Sequence, residues 1–98
     1  IKPEIKPRVK MIAELIRKYP NYLIIIEGHT DNKGAEKANL QSSLESANNM
    51  LNYLINNEGI SRDRLACAGY GSSKPIASNA DEAGRRQNRR IDIVFLIR

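Results

Sequence analysis

The chain has 98 residues, the size of one small domain, and 41% of them are hydrophobic and 28% charged. Its longest apolar run is about five residues, far short of the roughly 20 that cross a bilayer, so the segment is not predicted to be membrane-embedded. Cys67 is the only cysteine, which excludes an internal disulfide. One cysteine and one histidine also exclude a zinc site built from soft ligands.

The basic character of the chain has two interpretations. Lysine and arginine number 16 against 11 acids, a net charge of +5, and four arginines cluster within residues 85–90. With one Phe and no Trp, however, the chain offers no aromatic platform for stacking bases. A solvated face with structural ion pairs is therefore favoured over nucleic-acid binding, and Arg64, Arg85 and Arg90 are expected to make structural pairs or to lie in solvent.

The first helix is predicted over residues 4–18. Its apolar stripe has spacings of four, three and four residues and consists of Ile5, Val9, Ile12 and Ile16. Pro20 ends the helix, since proline disfavours helical conformation in the residue before it. Residues 22–27 then form a branched apolar run, which is typical of a buried strand.

The second helix is predicted from residue 36 or 39 to residue 57, with Gly59 as a left-handed cap. The stripe expected to face the sheet consists of Leu40, Leu44, Ala47, Leu51 and Leu54. The opposite face carries mostly small polar side chains, namely Ser42, Ser46, Asn49 and Tyr53.

The remaining elements complete a two-layer fold. A strand over 64–70 and a loop over 71–79 precede a short helix over 81–87, capped by Asp81, and a last strand over 91–97. This order predicts an α/β (α+β) two-layer sandwich, with helices on one mixed β-sheet and one domain over residues 1–98. Because the chain begins with Ile1 rather than Met, we expect it to be a piece of a longer protein.

The loop after the first strand is the candidate site. His29, Thr30 and Asp31 follow the strand directly, and a carboxylate at a strand end can hold an ammonium group through charge-assisted hydrogen bonds. Alternatively, Asp31 forms an Asx-turn with the residues up to Gly34, which would take a positive φ. A catalytic role for His29 is not favoured, since no nucleophile elbow or oxyanion partner accompanies it. It is expected to be a satisfied polar residue that braces the loop.

Several spaced motifs, taken together, indicate a family. In chain order they are Gly28-His29-Thr30-Asp31-x-x-Gly34, Asn39, Gly59-Ile60-x-x-x-Arg64-Leu65, Gly69-Tyr70-Gly71, Pro75-Ile76-Ala77-x-Asn79 and Gly84-Arg85-x-x-Asn88-Arg89-Arg90. With these motifs the chain resembles the OmpA-like C-terminal domain shared by OmpA-type proteins, peptidoglycan-associated lipoproteins and MotB-type stator proteins. The resemblance covers nearly the whole chain. It implies a β-α-β-α-β-β fold whose first strand this chain starts too late to contain.

The resemblance also implies a function. Such a domain lies in the periplasm and binds the peptidoglycan stem peptide non-covalently, without catalysis, cofactor or metal. It thereby anchors its parent protein to the cell wall. The other domains of that parent protein are further candidate partners. Carried over by motif, Asp31 would grip the diamino acid of the stem peptide. Asn39 would add polar contacts, and Arg89 would hold acidic groups or orient Asp31. Thr30 and Ser43 complete the candidate site.

Two positions of the second helix depart from the family pattern: Ser42 stands where the family has a leucine, and Ser46 stands where it has an arginine. The resemblance implies an arginine that clamps a carboxylate of diaminopimelate, and here that position is Ser46, which cannot replace a guanidinium. Losing such a charged contact costs about 1.5–3 kcal/mol. Three hypotheses follow. The domain has lost wall binding and is a structural or protein-interaction module, or it binds weakly and relies on a tether elsewhere, or it recognises a diamino acid without a second carboxylate, such as ornithine.

Overall fold

A computed structural model describes residues 2–97 of the protein. Short 3-10 turns at Pro3–Ile5 and Arg62–Arg64 precede the first helix and the second strand. The helices and strands, in chain order, are α1 Lys6–Lys18, β1 Tyr22–His29, α2 Glu36–Glu58, β2 Leu65–Gly69, α3 Glu82–Asn88 and β3 Arg90–Ile97.

The three strands form one mixed sheet in the order β2-β1-β3. The central strand β1 runs parallel to β2 and antiparallel to β3. The helices pack on this sheet, so the predicted α+β sandwich with a mixed sheet is confirmed.

Local signals placed most element ends correctly. Gly59 ends α2 with φ 69° in the left-handed region, as predicted. Asp81 caps α3, because its Oδ1 accepts a hydrogen bond from the backbone N–H of Gly84 at 2.7 Å. Two bounds differ by two residues, and the others by at most one: β1 continues to His29, and α1 begins at Lys6 because Pro3–Ile5 form a tighter turn.

The prediction for the buried face of α2 was partly wrong. Leu40 and Leu44, expected to face the sheet, are 44% and 41% exposed. Met50 is buried although it lay outside the predicted stripe. The residues of α2 that do face inward are Ser43, Ala47, Met50, Leu51 and Leu54.

Two paired glycines explain why α2 is rotated about its axis relative to the predicted orientation. Gly28 of β1 lies beside Gly69 of β2 in the sheet. A Cβ at Gly28 would lie 2.0 Å from the carbonyl oxygen of Ser43, and one at Gly69 would lie 2.6 Å from the backbone nitrogen of Leu44. The backbone of α2 therefore rests directly on the sheet at this point. Ser43 is buried at this contact, while Leu40 and Leu44 remain partly exposed.

Arg64 fastens α1 to the sheet. Its guanidinium donates hydrogen bonds to the backbone carbonyls of Ile16, of Tyr19 at 2.5 Å and of Tyr22 at 2.8 Å. Arg90 contacts Asp92, and Arg85 contacts Glu82 and the Asn79 carbonyl. Arg85 and Arg90 therefore pair with acids, as predicted, whereas Arg64 has a structural role through backbone carbonyls.

Among residues 2–97, none of the helices combines the length and the apolar character that a membrane crossing requires.

Candidate functional site

The loop that follows β1 is held against the end of β2. The backbone N–H of Tyr70 donates to the carbonyl of Gly28 at 3.0 Å, and that of Thr30 donates to the carbonyl of Gly71 at 2.9 Å. The Thr30 hydroxyl donates to the Asp31 carbonyl at 2.8 Å. The two backbone bonds extend the pairing of β1 and β2 beyond the ends of the strands. Together the three bonds fix the position of the Asp31 backbone.

Asp31 accepts two hydrogen bonds on its carboxylate. Oδ1 accepts from the backbone N–H of Lys33 at 2.9 Å, and Oδ2 accepts from Nη1 of Arg89 at 2.7 Å. The first bond is the predicted Asx-turn, and Gly34 takes the expected positive φ of 81°. The Lys33 bond, followed by the Arg89 contact, lowers the pKa of Asp31, so the group is ionised near neutral pH. A carboxylate has about four acceptor sites, so two remain for a ligand.

Arg89 bridges two acids. Besides Asp31, it donates from Nη2 to Oε1 of Glu82 at 2.5 Å. Glu82 first, and then Asp31, raise the pKa of Arg89, while the Arg89 contact lowers the pKa of Glu82. Sequence reasoning placed Arg89 beside Asp31 but missed Glu82. The spacing of seven residues, two turns of a helix, was the available signal.

Ser43 does not belong to the ligand site, and its assignment there is corrected. It is 1% exposed; its hydroxyl donates to the Leu40 carbonyl at 2.9 Å and accepts from the backbone N–H of Gly71 at 3.0 Å. With both interactions satisfied inside the protein, Ser43 connects α2 to the turn after β2.

The other predicted site residues come together around one open cavity of about 900 Å³, bounded by α1, α2, the Asp31 loop and the start of β3. The Asn39 amide lies 3.5 Å from the Asp31 carbonyl, and Ser42 and Ser46 are exposed on α2. Away from α1, the polar residues that line the cavity are His29, Thr30, Asp31, Asn39, Ser42, Ser46, Arg89 and Arg90.

The α1 side of the cavity is different in character. It is lined by the apolar side chains of Val9 and Ile12 and by two cations, Lys2 and Arg8. Within residues 2–97 neither cation makes an ion pair with an acid. The cavity therefore carries an acid at one side and free positive charge at the other.

Asn88 holds the long loop beside the site and was missed as a functional residue. Its side chain is fully buried, and its Oδ1 accepts from the backbone N–H groups of Ile76 and Ala77 at 2.8 and 3.0 Å. Its Nδ2 donates to the Ala77 carbonyl and to Oδ1 of Asn79. A buried amide with four hydrogen bonds fixes the loop before Arg89; the Asn88-Arg89-Arg90 motif was its only sequence signal.

His29 differs from its prediction. Its ring stacks on Tyr70 with centroids 5.4 Å apart, and burial is the main reason that its pKa is lowered. Neither ring nitrogen has a hydrogen-bond partner among the described residues, so it is not the satisfied polar residue that was expected. The charges of Arg90 and Lys74 also lower this pKa, whereas those of Asp92 and Glu27 raise it. Within residues 2–97, Glu27, His29 and Asp92 form a group that could hold a metal ion.

The fold and the site together define a small α+β module that presents a carboxylate–guanidinium pair at the rim of an open cavity. The OmpA family model matches residues 1–89, so the chain belongs to the OmpA family. It is a non-catalytic module rather than an enzyme.

Known proteins of the bacterial envelope resemble the chain in sequence and fold. It is 41% identical to outer membrane protein Omp38 of Acinetobacter baumannii, over 93% of the chain and 26% of that protein. It is 40% identical to the peptidoglycan-binding protein ArfA of Mycobacterium tuberculosis, over 85% of the chain and 25% of that protein. The chain thus spans about a quarter of these relatives. The C-terminal domain of Helicobacter pylori MotB superimposes with a TM-score of 0.89 at 29% identity, covering 97% of this chain and 74% of that one.

Proposed function

We propose that the domain binds the peptidoglycan stem peptide non-covalently and anchors a longer periplasmic or outer-membrane protein to the cell wall. The observation that carries this proposal is the Asp31 carboxylate, which is ionised, oriented by two hydrogen bonds and situated in the wall of the cavity. Membership of the OmpA family and the similarity to the peptidoglycan-binding protein ArfA support it.

The ligand group that fits Asp31 is an ammonium. A charged N–H donor can reach the carboxylate sites left free by Lys33 and Arg89, and the partial burial of Asp31 strengthens such a bond. The side-chain amine of a stem-peptide diamino acid has this chemistry. Asn39, at the start of α2, can hydrogen-bond the adjoining peptide groups.

The small side chain of Ser46 favours a diamino acid that carries no second carboxylate. Ser42 and Ser46 place only hydroxyls on the α2 wall of the cavity, so a carboxylate there would meet no cation from this helix. We infer that the domain prefers an ornithine-type stem peptide to a diaminopimelate-type one. A titration with both peptides tests this preference, and equal or tighter binding of diaminopimelate would overturn it.

Arg8 supports a second possibility for the ligand. This guanidinium, which has no ion pair within residues 2–97, lines the same cavity from α1 and could receive a ligand carboxylate that no arginine of α2 reaches. In that case Arg8→Gln would weaken the binding of the diaminopimelate peptide and spare the ornithine peptide. Lys10→Gln, on the same helix but outside the cavity lining, is the matched control.

Cosedimentation with purified sacculi tests wall binding itself. The wild-type domain should pellet with the sacculi, and Asp31→Asn, which keeps an acceptor for the Lys33 turn but removes the charge, should stay in the supernatant. Glu45→Gln removes an exposed acid of α2 outside the cavity and should pellet like the wild type. The alternative, a structural or protein-interaction module that has lost wall binding, predicts that none of the three pellets.

A further inference from the structure

Three potential metal ligands share the sheet face that lies opposite α2. Gly28 faces α2, so Glu27 and His29, its neighbours in the strand, project to the other side. The register of β1 with β3 sets Asp92 directly opposite Glu27, on the same face. One ligand atom from each of the three lies within 4.8 Å of the others.

The imidazole of His29 is buried without a partner. Its side chain is 1% exposed, and neither nitrogen forms a hydrogen bond with any residue in 2–97. Nε2 points at the two acids, 3.3 Å from Oδ2 of Asp92 and 3.9 Å from Oε1 of Glu27. A buried polar atom left without a partner is costly, and an ion bound between these three atoms would remove that cost for Nε2, though not for Nδ1.

Neighbouring side chains orient both carboxylates. Arg90 Nε donates to Asp92, at 3.0 Å from Oδ1 and 3.3 Å from Oδ2, and the Tyr70 hydroxyl donates to Oε2 of Glu27 at 3.4 Å. The carboxylate oxygens that face His29 are Oδ2 of Asp92 and Oε1 of Glu27. Outer contacts of this kind, which orient the direct ligands, are usual around metal sites.

We propose that Glu27, His29 and Asp92 form a binding site for a divalent transition-metal ion, with Zn²⁺ as the ion that fits best. A tetrahedral zinc ion with bonds of about 2.0–2.2 Å places its ligand atoms about 3.4 Å apart, close to the separation of Nε2 and Oδ2. Ca²⁺ and Mg²⁺ prefer sets of oxygen ligands alone. Asp92, whose side chain is 42% exposed, opens the site to solvent and to a water as fourth ligand.

The test is a calorimetric Zn²⁺ titration of the whole chain in a Cys67→Ser background, so that the thiol cannot supply a ligand. One Zn²⁺ per chain should bind. Glu27→Gln and Asp92→Asn, which keep the shape of each side chain, should each weaken binding at least about tenfold. Glu45→Gln removes an exposed acid of α2 outside the cluster and should leave binding unchanged.

A spectroscopic readout identifies the ligand directly. His29 is the only histidine, so its imidazole ¹⁵N signals are unambiguous. The Nε2 signal should move with Zn²⁺ and saturate at one equivalent, and Mg²⁺ should leave it in place. Absence of Zn²⁺ binding in the Cys67→Ser background, or equal binding by the Glu27 and Asp92 variants, would overturn the site. Neither result bears on wall binding through Asp31.

Discussion

Asp31 combines an observed structural role with the ligand-binding role that we propose for it. Oδ1 closes the turn with Lys33, and Oδ2 holds Arg89, which in turn contacts Glu82. The turn orients the group and keeps it ionised, so the two interpretations of the loop are compatible. A site formed this way is rigid before a ligand arrives, which lowers the entropic cost of binding.

The ionised state of Asp31 links stability to pH. Its folded-state pKa lies below the ordinary value of 3.8, so the stabilisation is present above that value and is lost as the pH falls through the folded-state pKa. Urea titrations from neutral to acid pH measure this effect. The free energy of unfolding should be larger for the wild type than for Asp31→Asn at neutral pH, and the difference should vanish in acid. Arg89→Gln should keep part of the pH dependence, because the Lys33 bond is the larger cause. A pH-independent difference would contradict this.

Ser46→Arg should restore the guanidinium that the family pattern has at this position. The affinity for a diaminopimelate-type stem peptide should rise about tenfold to a hundredfold, the value of a charge-assisted contact of about 1.5–3 kcal/mol. Gln41→Arg adds the same charge to α2 outside the cavity lining and should change little. The measurement is a calorimetric titration, and similar gains in both variants would show that net charge, not position, is responsible.

At the level of single residues, the spaced motifs indicated which side chains would lie near one another. Asp31, Arg89 and Asn39 were located through spaced motifs, and the structure places all three around the cavity. Ser43 was misassigned because a serine hydroxyl serves equally well inside or outside a contact. What decides is the position of the helix backbone, which depends on glycines in two distant strands.

At the level of elements, the contact between α2 and the sheet depends on two glycines, Gly28 and Gly69, which have no side chain. Gly28→Ala would set a Cβ 2.0 Å from the Ser43 carbonyl, where backbone meets backbone and neither can yield easily. We expect a loss of about 3 kcal/mol, at the upper end for an overpacked contact. Denaturant unfolding measures it. Gly59→Ala, at a positive φ with open space around it, should lose about 1–2 kcal/mol; an equal or smaller loss in Gly28→Ala would contradict the account.

The rotation of α2 predicts unequal costs for two leucines on the same helix. Leu54 is fully buried, and Leu54→Ala should lose about 2–5 kcal/mol in denaturant unfolding. Leu44 is 41% exposed, and Leu44→Ala should lose less than about 1 kcal/mol. Equal losses would mean that the predicted stripe, not the observed one, faces the sheet. Helical spacing revealed an amphipathic helix, but the close glycine contact shifted which residues it buries.

For the whole molecule, the arrangement of strands determines what lies where. The antiparallel pairing of β1 with β3 sets Asp92 beside Glu27 and His29. Along the chain, Asp92 and Glu27 are 65 positions apart. The sequence excluded soft zinc ligands and left this carboxylate–imidazole cluster unnoticed, because strand register is not visible in either strand alone. The Asp31 loop follows the end of β1 in the same sheet. One small fold therefore carries both the Asp31 loop and the cluster of Glu27, His29 and Asp92.

We propose that Asp31 binds the amine of a stem-peptide diamino acid. The most direct test of this proposal is a calorimetric titration of the wild-type domain and Asp31→Asn with a purified ornithine-type stem peptide. The account predicts saturable one-to-one binding by the wild type and a loss of about tenfold to a hundredfold in Asp31→Asn. Equal affinity of the two proteins, or no binding by the wild type, would contradict it.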